Sequence, residues 1–310
     1  MKALITGCDG FIASHLAEFL IGKSYDVYGS YLKKPSNPEV LKDVTLIKCD
    51  IKEKNSVSKM IRDSKPDFIF HLAAQSLVVP SWKDPIGTFE TNIVGTTNIL
   101  EVAKNSVPNS KIFVACSAAE YGLNFKHEIP VREDKEFRPA SPYAVSKIGA
   151  DMVSYLYHRT YAMNIIRGRF FNITGPRKVF DACSDFARAI AGAEKGKEKS
   201  VKVGNLEGIR DITDVRDAVK AVLLLVKKGK FGEPYNICSG KGYKMEYILN
   251  TLISLSTENI VIKKDKSKMR PLEDPIFIGD NSKIRKLGWG PEIPIEKTLK
   301  DTLDYWRSVA

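Results

Sequence analysis

The chain has 310 residues, 43% of them hydrophobic and 27% charged, with a net charge of +11. That is an ordinary globular composition, long enough for one large or two modest domains with a sizeable core. The charge favours anionic ligands such as phosphates, whereas no stretch interleaves aromatics with dense Lys and Arg as a nucleic-acid platform does, and no apolar run reaches membrane-spanning length. Cys8, Cys49, Cys116, Cys183 and Cys238 are scattered, and the four histidines stand apart from one another. Reduced thiols and no metal are therefore expected. The N-terminus runs straight into a strand-like segment without a signal-peptide layout, which points to a cytoplasmic protein.

Residues 2 to 6 form a short apolar run, the pattern of a buried parallel strand. Gly7-Cys8-Asp9-Gly10-Phe11-Ile12-Ala13 follows, then a helical pattern from His15 to Ile21 that ends near Gly22. Strand, glycine turn and helix in this order let the backbone approach a pyrophosphate at a helix N-terminus. The spacing is Gly-x-x-Gly-x-x-Ala, not the Gly-x-Gly-x-x-Gly of ordinary dinucleotide folds, and a tight turn without a ligand is the plain alternative. A second strand, Asp26 to Tyr31, leads into Leu32-Lys33-Lys34, where dinucleotide folds commonly carry an acid for the adenosine ribose. Lysines in place of that carboxylate welcome a 2′-phosphate, so NADPH is preferred and NADH stays open. A solvated lysine loop explains them equally well.

Val44 to Lys48 reads as a third strand, closed by Cys49-Asp50-Ile51, and Asn55 to Ser64 as a helix. Pro66 to Ala74 is a fourth strand running into small residues, which suit close approach by a ligand at a strand's C-terminal end. His71 within it reads as a packed core histidine. A long helix is expected from Asp84 to about Asn105. The fifth strand, Lys111 to Cys116, ends in Ser117-Ala118-Ala119-Glu120-Tyr121-Gly122. A loop with three prolines leads to a helix from Pro142 to about Tyr161, on which Tyr143 and Lys147 lie one turn apart on one face. An ammonium near a phenol lowers its pKa and lets it exchange a proton near neutrality. The spacing alone also fits a surface tyrosine beside a solvated lysine.

Asn164 to Phe170 is the sixth strand, and the alternation of strands and helices gives an α/β fold, a Rossmann-like doubly wound parallel sheet. After Phe171 to Pro176 the rhythm changes to short strands and four helices, a smaller C-terminal α/β lobe. The expected division is a cofactor domain over 1–175 and a substrate lobe over 176–310, with some C-terminal elements returning to the first sheet.

Thr6-Gly7-x-x-Gly10-Phe11-Ile12, Asp50-Ile51, His71-Leu72-Ala73-Ala74, Ser117 four residues before Tyr121-Gly122, Tyr143-x-x-x-Lys147 and Phe171-Asn172-x-x-Gly175-Pro176 occur in this order. Together they resemble the extended short-chain dehydrogenase/reductase family, over essentially the whole chain. Ala74-Gln75-Ser76 with Ser81-Trp82, Pro142 to Lys147, Val203 to Glu207 with Arg210-Asp211, and Tyr235 to Gly240 look like its GDP-mannose branch. The resemblance implies Ser117 as the hydroxyl that positions the sugar C4 oxygen, Tyr143 as proton donor or acceptor, and Lys147 as the ribose ligand that tunes it. It implies Gly7, Gly10, Phe11 and Ile12 at the cofactor pyrophosphate and Asp50 and Ile51 at the adenine. Asp9, Tyr31, Lys33, Leu72, Ala73, Ala74, Gln75 and Phe170 complete the implied cofactor set with Tyr143 and Lys147. On the substrate side it implies Gln75, Ser117, Asn172, Arg177, Val203, Asn205, Arg210 and Arg270. Arg210 and Arg270 would lie against phosphates, which a bidentate cation suits.

Dehydratases of the family place a glutamate two residues after the Ser/Thr. Here Ala119 stands there, after Ala118, and alanine does no acid/base work. Glu120 would need a shifted geometry. Family 3,5-epimerase/reductases carry a cysteine at the Ala119 place and a histidine after the Gly-Pro, where this chain has Arg177-Lys178. The remaining chemistry is hydride transfer and one proton at C4, which implies NADPH- or NADH-dependent reduction of the C4 ketone of a GDP-4-keto-6-deoxy sugar. A nucleotide-sugar 4-epimerase with retained cofactor would use the same three residues, and 4,6-dehydration stands behind both. A non-catalytic binding protein would have no need of all three. By family analogy the two long helices, Asp84 to Asn105 and Pro142 to Tyr161, pair in a homodimer.

Overall fold

The computed structural model describes residues 1–33, 38–268 and 275–309. Its first half alternates β1 (Lys2–Thr6), α1 (Phe11–Ile21), β2 (Asp26–Tyr31), β3 (Thr45–Lys48), α2 (Lys54–Ser64), β4 (Phe68–His71), α3 (Val78–Lys83), α4 (Pro85–Phe89), α5 (Gly95–Ser106), β5 (Lys111–Ser117), α6 (Pro142–Tyr161) and β6 (Ile165–Phe170). The second half holds β7 (Asn172–Thr174), α7 (Ala182–Glu194), β8 (Ser200–Val203), β9 (Ile209–Asp214), α8 (Val215–Lys228), β10 (Pro234–Ile237) and β11 (Gly242–Lys244). It closes with α9 (Met245–Ser254), β12 (Val261–Lys264), β13 (Ile276–Phe277), α10 (Ser282–Arg285) and α11 (Ile295–Val309).

Seven strands form one sheet in the order β10-β6-β5-β4-β1-β2-β3, every neighbouring pair parallel. Successive strand residues face opposite sides, so one short apolar strand serves two cores. Ala3, Ile5, Phe68, Phe70, Phe113 and Ile166 pack with α1 and α8. Leu4, Ile69, Ile112, Val114 and Ile165 pack with α2, α5 and α6 on the other face. Burying each such side chain contributes about 1.5–3 kcal/mol. Strand β10 comes from beyond residue 175 and extends this sheet past β6.

The chain passes between the two halves at Phe171, where β6 leaves the large sheet and β7 joins β9. Strands β11, β9, β13 and β7 form a four-stranded sheet, and β8 pairs with β12. Helices α7, α9 and α11 close a separate core over Phe186, Ile190, Ile248, Leu249, Leu299 and Leu303.

The helix expected from Asp84 to Asn105 is broken. Asp84 caps α4 by accepting from Gly87 N at 2.9 Å, and a π-helical turn, Glu90–Val94, separates α4 from α5. Hydroxyls of Thr91, Thr96 and Thr97 bond back to the carbonyls of Gly87, Asn92 and Ile93, which competes with regular helix bonding. Short elements such as α3, β7 and β11 to β13 were not expected from sequence, being too brief to show a period. All five cysteines are free and buried.

Candidate active site

The strand order reverses at β1, between β4 and β2, and ligands of open α/β sheets bind at such a point. Gly7 turns there with φ +66°, and a Cβ on it would stand 2.8 Å from Ala73 Cα. Only glycine lets these two loops approach so closely. Gly10 N donates to Gly7 O at 2.9 Å and starts α1, whose first turn has neither a side-chain cap nor an acid. The leading N–H groups, Phe11 and Ile12 among them, and the positive dipole end suit a pyrophosphate. Asp9 flanks the turn half-buried, its carboxyl raised by burial.

Tyr31 ends β2 half-buried and Lys33 is exposed, while Lys34 lies outside the described residues. Between Ser30 and Lys33 there is no carboxylate to repel a 2′-phosphate. Asp50 accepts from Lys52 N at 3.0 Å, and Ile51 is buried against Gly95. Leu72 N and Ala73 N both donate to Thr6 Oγ1 at 3.1 Å, and Ala74 follows, half-buried. Two accepted bonds leave the Thr6 proton for His71 Nδ1 at 2.8 Å, so His71 Nε2–H donates to Thr96 Oγ1 at 3.0 Å. Burial, with the charge of Lys147, pulls His71 down to about 3. It is a neutral brace between loops.

Two expected ligand contacts are spent inside the protein. The Gln75 amide donates to Leu77 O and Thr88 Oγ1, and its carbonyl accepts from Leu77 N. The Phe170 ring lies buried, edge-on to Phe113 at 5.8 Å. Gln75, expected at cofactor and substrate, and Phe170, expected at the cofactor, thus have side chains held by neighbouring residues.

Ser117, Tyr143 and Lys147 come together at the C-terminal end of β5. Ser141 caps α6 by accepting from Ala144 N at 3.2 Å, with Pro142 in the first turn. Tyr143 N, a donor that no helix carbonyl takes, goes to Ser81 Oγ at 3.1 Å. The Tyr143 hydroxyl is hydrogen-bonded to Ser117. Ser117 Oγ accepts from Ala119 N at 3.1 Å, while Ser117 N donates to Glu120 Oε1 at 2.7 Å. These two bonds are a capping box around the turn Ala118–Tyr121. Asn92, in the π-helical turn, donates to Ser146 Oγ at 2.8 Å and to Gln75 O at 2.9 Å, tying α6 to the cofactor-side loop.

The expected tuning of Tyr143 by Lys147 is not what governs this geometry. Lys147 Nζ donates to Ala115 O at 2.7 Å, and burial lowers its pKa. Burial raises Tyr143 to about 12; the Ser117 bond opposes that rise, and Glu120 and Cys116 add to it. At neutral pH Tyr143 is a protonated phenol, ready to donate.

Behind Ser117 lies a cluster that the motifs did not single out. Glu120 and Asp151 are both 0% exposed. Asp151 accepts from Arg169 Nε at 2.9 Å and from Arg167 Nη1, and Arg169 Nε stands 3.3 Å from Glu120 Oε2. Ligand atoms of Cys116, Glu120 and Asp151 lie within 4.8 Å of one another, yet two guanidiniums already supply the positive charge a metal would bring. Burial, then the Asp151 charge, lifts the Glu120 carboxyl well above the usual range. Burial raises Asp151 too, but Arg169 and Arg167 outweigh it and hold it low. The available signal was two arginines inside the buried strand Ile165–Phe170, which require buried acids.

On the lobe side, Asn172 Nδ2 donates to Asp211 O at 2.9 Å and Asn205 Oδ1 accepts from Glu207 N at 2.9 Å. The Arg210 guanidinium lies over Gly208, with Nη1 donating to Ile209 O. The Val203 side chain is buried in the lobe core with α7 and α9. Arg177, expected at the substrate, lies at the start of the lobe. It is held on α1 by Glu18, with Nη1 to Oε1 at 3.0 Å and Nη2 to Oε2 at 2.5 Å. Arg270 falls outside the described residues. Two open surface depressions, around Met1 and Lys111 and between α1 and α8, contain none of the three central groups.

Residues 4–302 match the family described as GDP-mannose 4,6 dehydratase. The chain is 29% identical over 310 residues to GDP-6-deoxy-D-mannose reductase of Pseudomonas aeruginosa, with 99% of this chain and 97% of that protein covered. Among solved structures, RMD from Pseudomonas aeruginosa complexed with NADPH superposes with TM-score 0.87 at 28% identity, covering 100% of both chains. UDP-glucose 4-epimerase of Thermotoga maritima with UDP-glucose superposes with TM-score 0.89 at 28% identity, covering 100% of this chain and 99% of that one.

Proposed function

The chain belongs to the GDP-mannose 4,6 dehydratase family, and on that footing we propose that it reduces the C4 ketone of a GDP-4-keto-6-deoxy sugar with NADPH or NADH. It is an NAD(P)-dependent nucleotide-sugar oxidoreductase of the short-chain dehydrogenase/reductase fold. A bound reduced nicotinamide supplies the hydride. Tyr143 supplies the proton at the C4 oxygen, and the Ser117 hydroxyl steadies that oxygen as negative charge develops on it. Lys147 adds positive charge to the same end of β5. Gly7, Gly10 and the first turn of α1 would hold the pyrophosphate. Lys33 and the absence of an acid after β2 support a preference for NADPH, and Arg210 supports recognition of the substrate phosphates.

One observation carries reduction over dehydration. Ala118 and Ala119 bear no acid or base, and Glu120 is closed off with Asp151 and Arg169. Removing a C5 proton needs a base within reach, whereas reduction needs only Tyr143. The test is to offer GDP-, UDP- and dTDP-4-keto-6-deoxy sugars with each cofactor and follow absorbance. Fastest oxidation of NADPH with the GDP ketone is expected, and none with any ketone overturns the reading. The likeness to UDP-glucose 4-epimerase supports a second reading, 4-epimerisation with retained cofactor. Interconversion of sugars without net consumption of NADPH would select it.

We infer a homodimer through α3, α4 and α6, which expose Val79, Trp82, Ile86, Val145 and Leu156. Light scattering that finds only monomer at micromolar concentration removes it. No described helix is long and apolar enough to cross a membrane. Five free, buried thiols support a cytoplasmic location.

A further inference from the structure

Glu120 occupies a peculiar position. It takes no part in the chemistry above, yet its side chain touches the backbone of Ser117 on one side and the ion cluster of α6 and β6 on the other. Oε1 accepts from Ser117 N at 2.7 Å. Oε2 is buried and faces Asp151; Arg169 Nε stands 3.3 Å from it but donates to Asp151 at 2.9 Å, so Oε2 accepts no hydrogen bond among the described residues. Asp151 spends its oxygens on Arg167 and Arg169.

Two fully buried carboxyls this close cannot both be ionised at modest cost. Asp151 has the two guanidiniums and keeps its charge. The proton must then sit on Glu120, and on the oxygen without a donor. We propose that Glu120 is a positioning residue: a neutral carboxyl whose carbonyl oxygen holds the Ser117 N–H and whose O–H is donated to the Asp151 carboxylate. It ties the hydroxyl at the reaction centre to the Arg167–Asp151–Arg169 cluster, and so fixes where Ser117 Oγ meets Tyr143. This rests on the roles proposed above for Ser117 and Tyr143.

The charge state matters for Tyr143 as well. The groups facing Glu120 are Cys116 on β5, Arg169 on β6, Tyr121 on its own turn, and Asp151, Tyr143 and Lys147 on α6. An ionised Glu120 would add a negative charge beside the phenol and oppose any negative charge developing on its oxygen. A neutral one preserves the geometry without that penalty.

Glutamine is the isostere of the neutral acid: its carbonyl accepts from Ser117 N and its amide donates to Asp151. Glu120→Gln should keep kcat at pH 7 within about twofold, whereas Glu120→Leu, which loses both bonds, should lower kcat about tenfold with KM nearly unchanged. In a Ser117→Ala background the Glu120→Leu change should cost less than about twofold further, because the two act through one atom. A merely structural glutamate would cost the same in both backgrounds, and that result overturns the proposal. So does a Glu120→Gln enzyme as impaired as Glu120→Leu. If Glu120→Leu does not fold, the infrared difference spectrum of wild type minus Glu120→Gln at pH 7 decides. A protonated-carboxyl C=O band is expected, and carboxylate bands in its place overturn the proposal. That spectrum needs no turnover, so it stands even if the wild type reduces no ketone, which would count only against the proposed reaction.

Discussion

The large sheet, which carries the proposed catalytic residues, and the C-terminal lobe hold their segments by different means. In the sheet, short-range contacts at strand ends do most of the placing, with the buried Glu120–Asp151 pair as a carboxylate exception. Gly7 is set by a left-handed turn against Ala73, Ser117 by a capping box, and Lys147 by the carbonyl of Ala115. In the lobe, a single buried carboxylate gathers distant segments. Asp211 on β9 accepts from Ser239 N and Oγ at 2.8 and 2.6 Å, from Gly240 N at 2.9 Å and from Gly279 N at 3.2 Å. A ladder of main-chain bonds spreads stability over many residues, while a carboxylate hub concentrates it in one. Lesions at the sheet's working residues should therefore silence the enzyme without unfolding it, and lesions at the lobe's hub should unfold it.

The largest expected effect tests the first half of that contrast. Tyr143→Phe should lower kcat by about 10³-fold, since the proposed proton donor is gone. The thermal midpoint should hold and fluorescence titration should still show cofactor binding, because the ring stays packed and Tyr143 N still reaches Ser81. Wild-type turnover in this variant would end the proposed mechanism. The second half is tested by Asp211→Ala, which strands the N–H groups of Ser239, Gly240 and Gly279 in the interior. A loss of about 3 kcal/mol in urea denaturation is expected. A variant that unfolds with the wild type would erase the distinction between ladder and hub.

The same distinction explains what could be read from the sequence. Strands β1 and β4 are mainly apolar runs, and a parallel sheet follows from such runs alternating with helices. Gly7, Ser117, Tyr143 and Lys147 sit at ends of such elements, so their mutual placement follows once the elements are counted. The lobe resists that reading. Strands β11 and β13 have three and two residues, too few to show a period, and Val203 looks the same from sequence whether it faces a ligand or the core. Asp211 gives no sign of which segments it will gather. Glu120 is an intermediate case: its capping box is written in Ser117-Ala118-Ala119-Glu120, yet its pairing with Asp151 and Arg169 joins three elements far apart in the chain.

The seam between the two regions offers a pH test. His15 on α1 lies 2.9 Å from Pro176 O, just past the crossing from sheet to lobe. Burial, with the charge of Arg177, lowers its pKa to about 4, against an unfolded value near 6.5. Between these values the unfolded chain binds the proton that the folded one refuses. Stability is then flat above about pH 6.5 and falls as pH drops towards 4, with His71 adding loss in the same direction. At pH 5 His15 accounts for about 2 kcal/mol of that loss. His15→Gln, which can still donate to Pro176 O, should narrow the difference between urea denaturation at pH 7 and pH 5 by this amount. An unchanged difference would mean that His15 titrates normally and the seam is open.

The smallest expected effect concerns Arg177, placed by sequence with the substrate and by structure on α1. Its guanidinium pairs with Glu18, whose side chain is 47% exposed, and such half-solvated pairs are worth less than about 1 kcal/mol. Arg177→Ala should leave the KM for the sugar nucleotide within about twofold and barely move the urea midpoint. A small effect on both axes means that Arg177 serves the sheet, as a clasp on α1 beside the crossing. A tenfold rise in KM at constant stability would mean that the guanidinium leaves Glu18 for a substrate phosphate. The lobe's binding surface would then begin before α7, and one residue at the crossing would work for both regions.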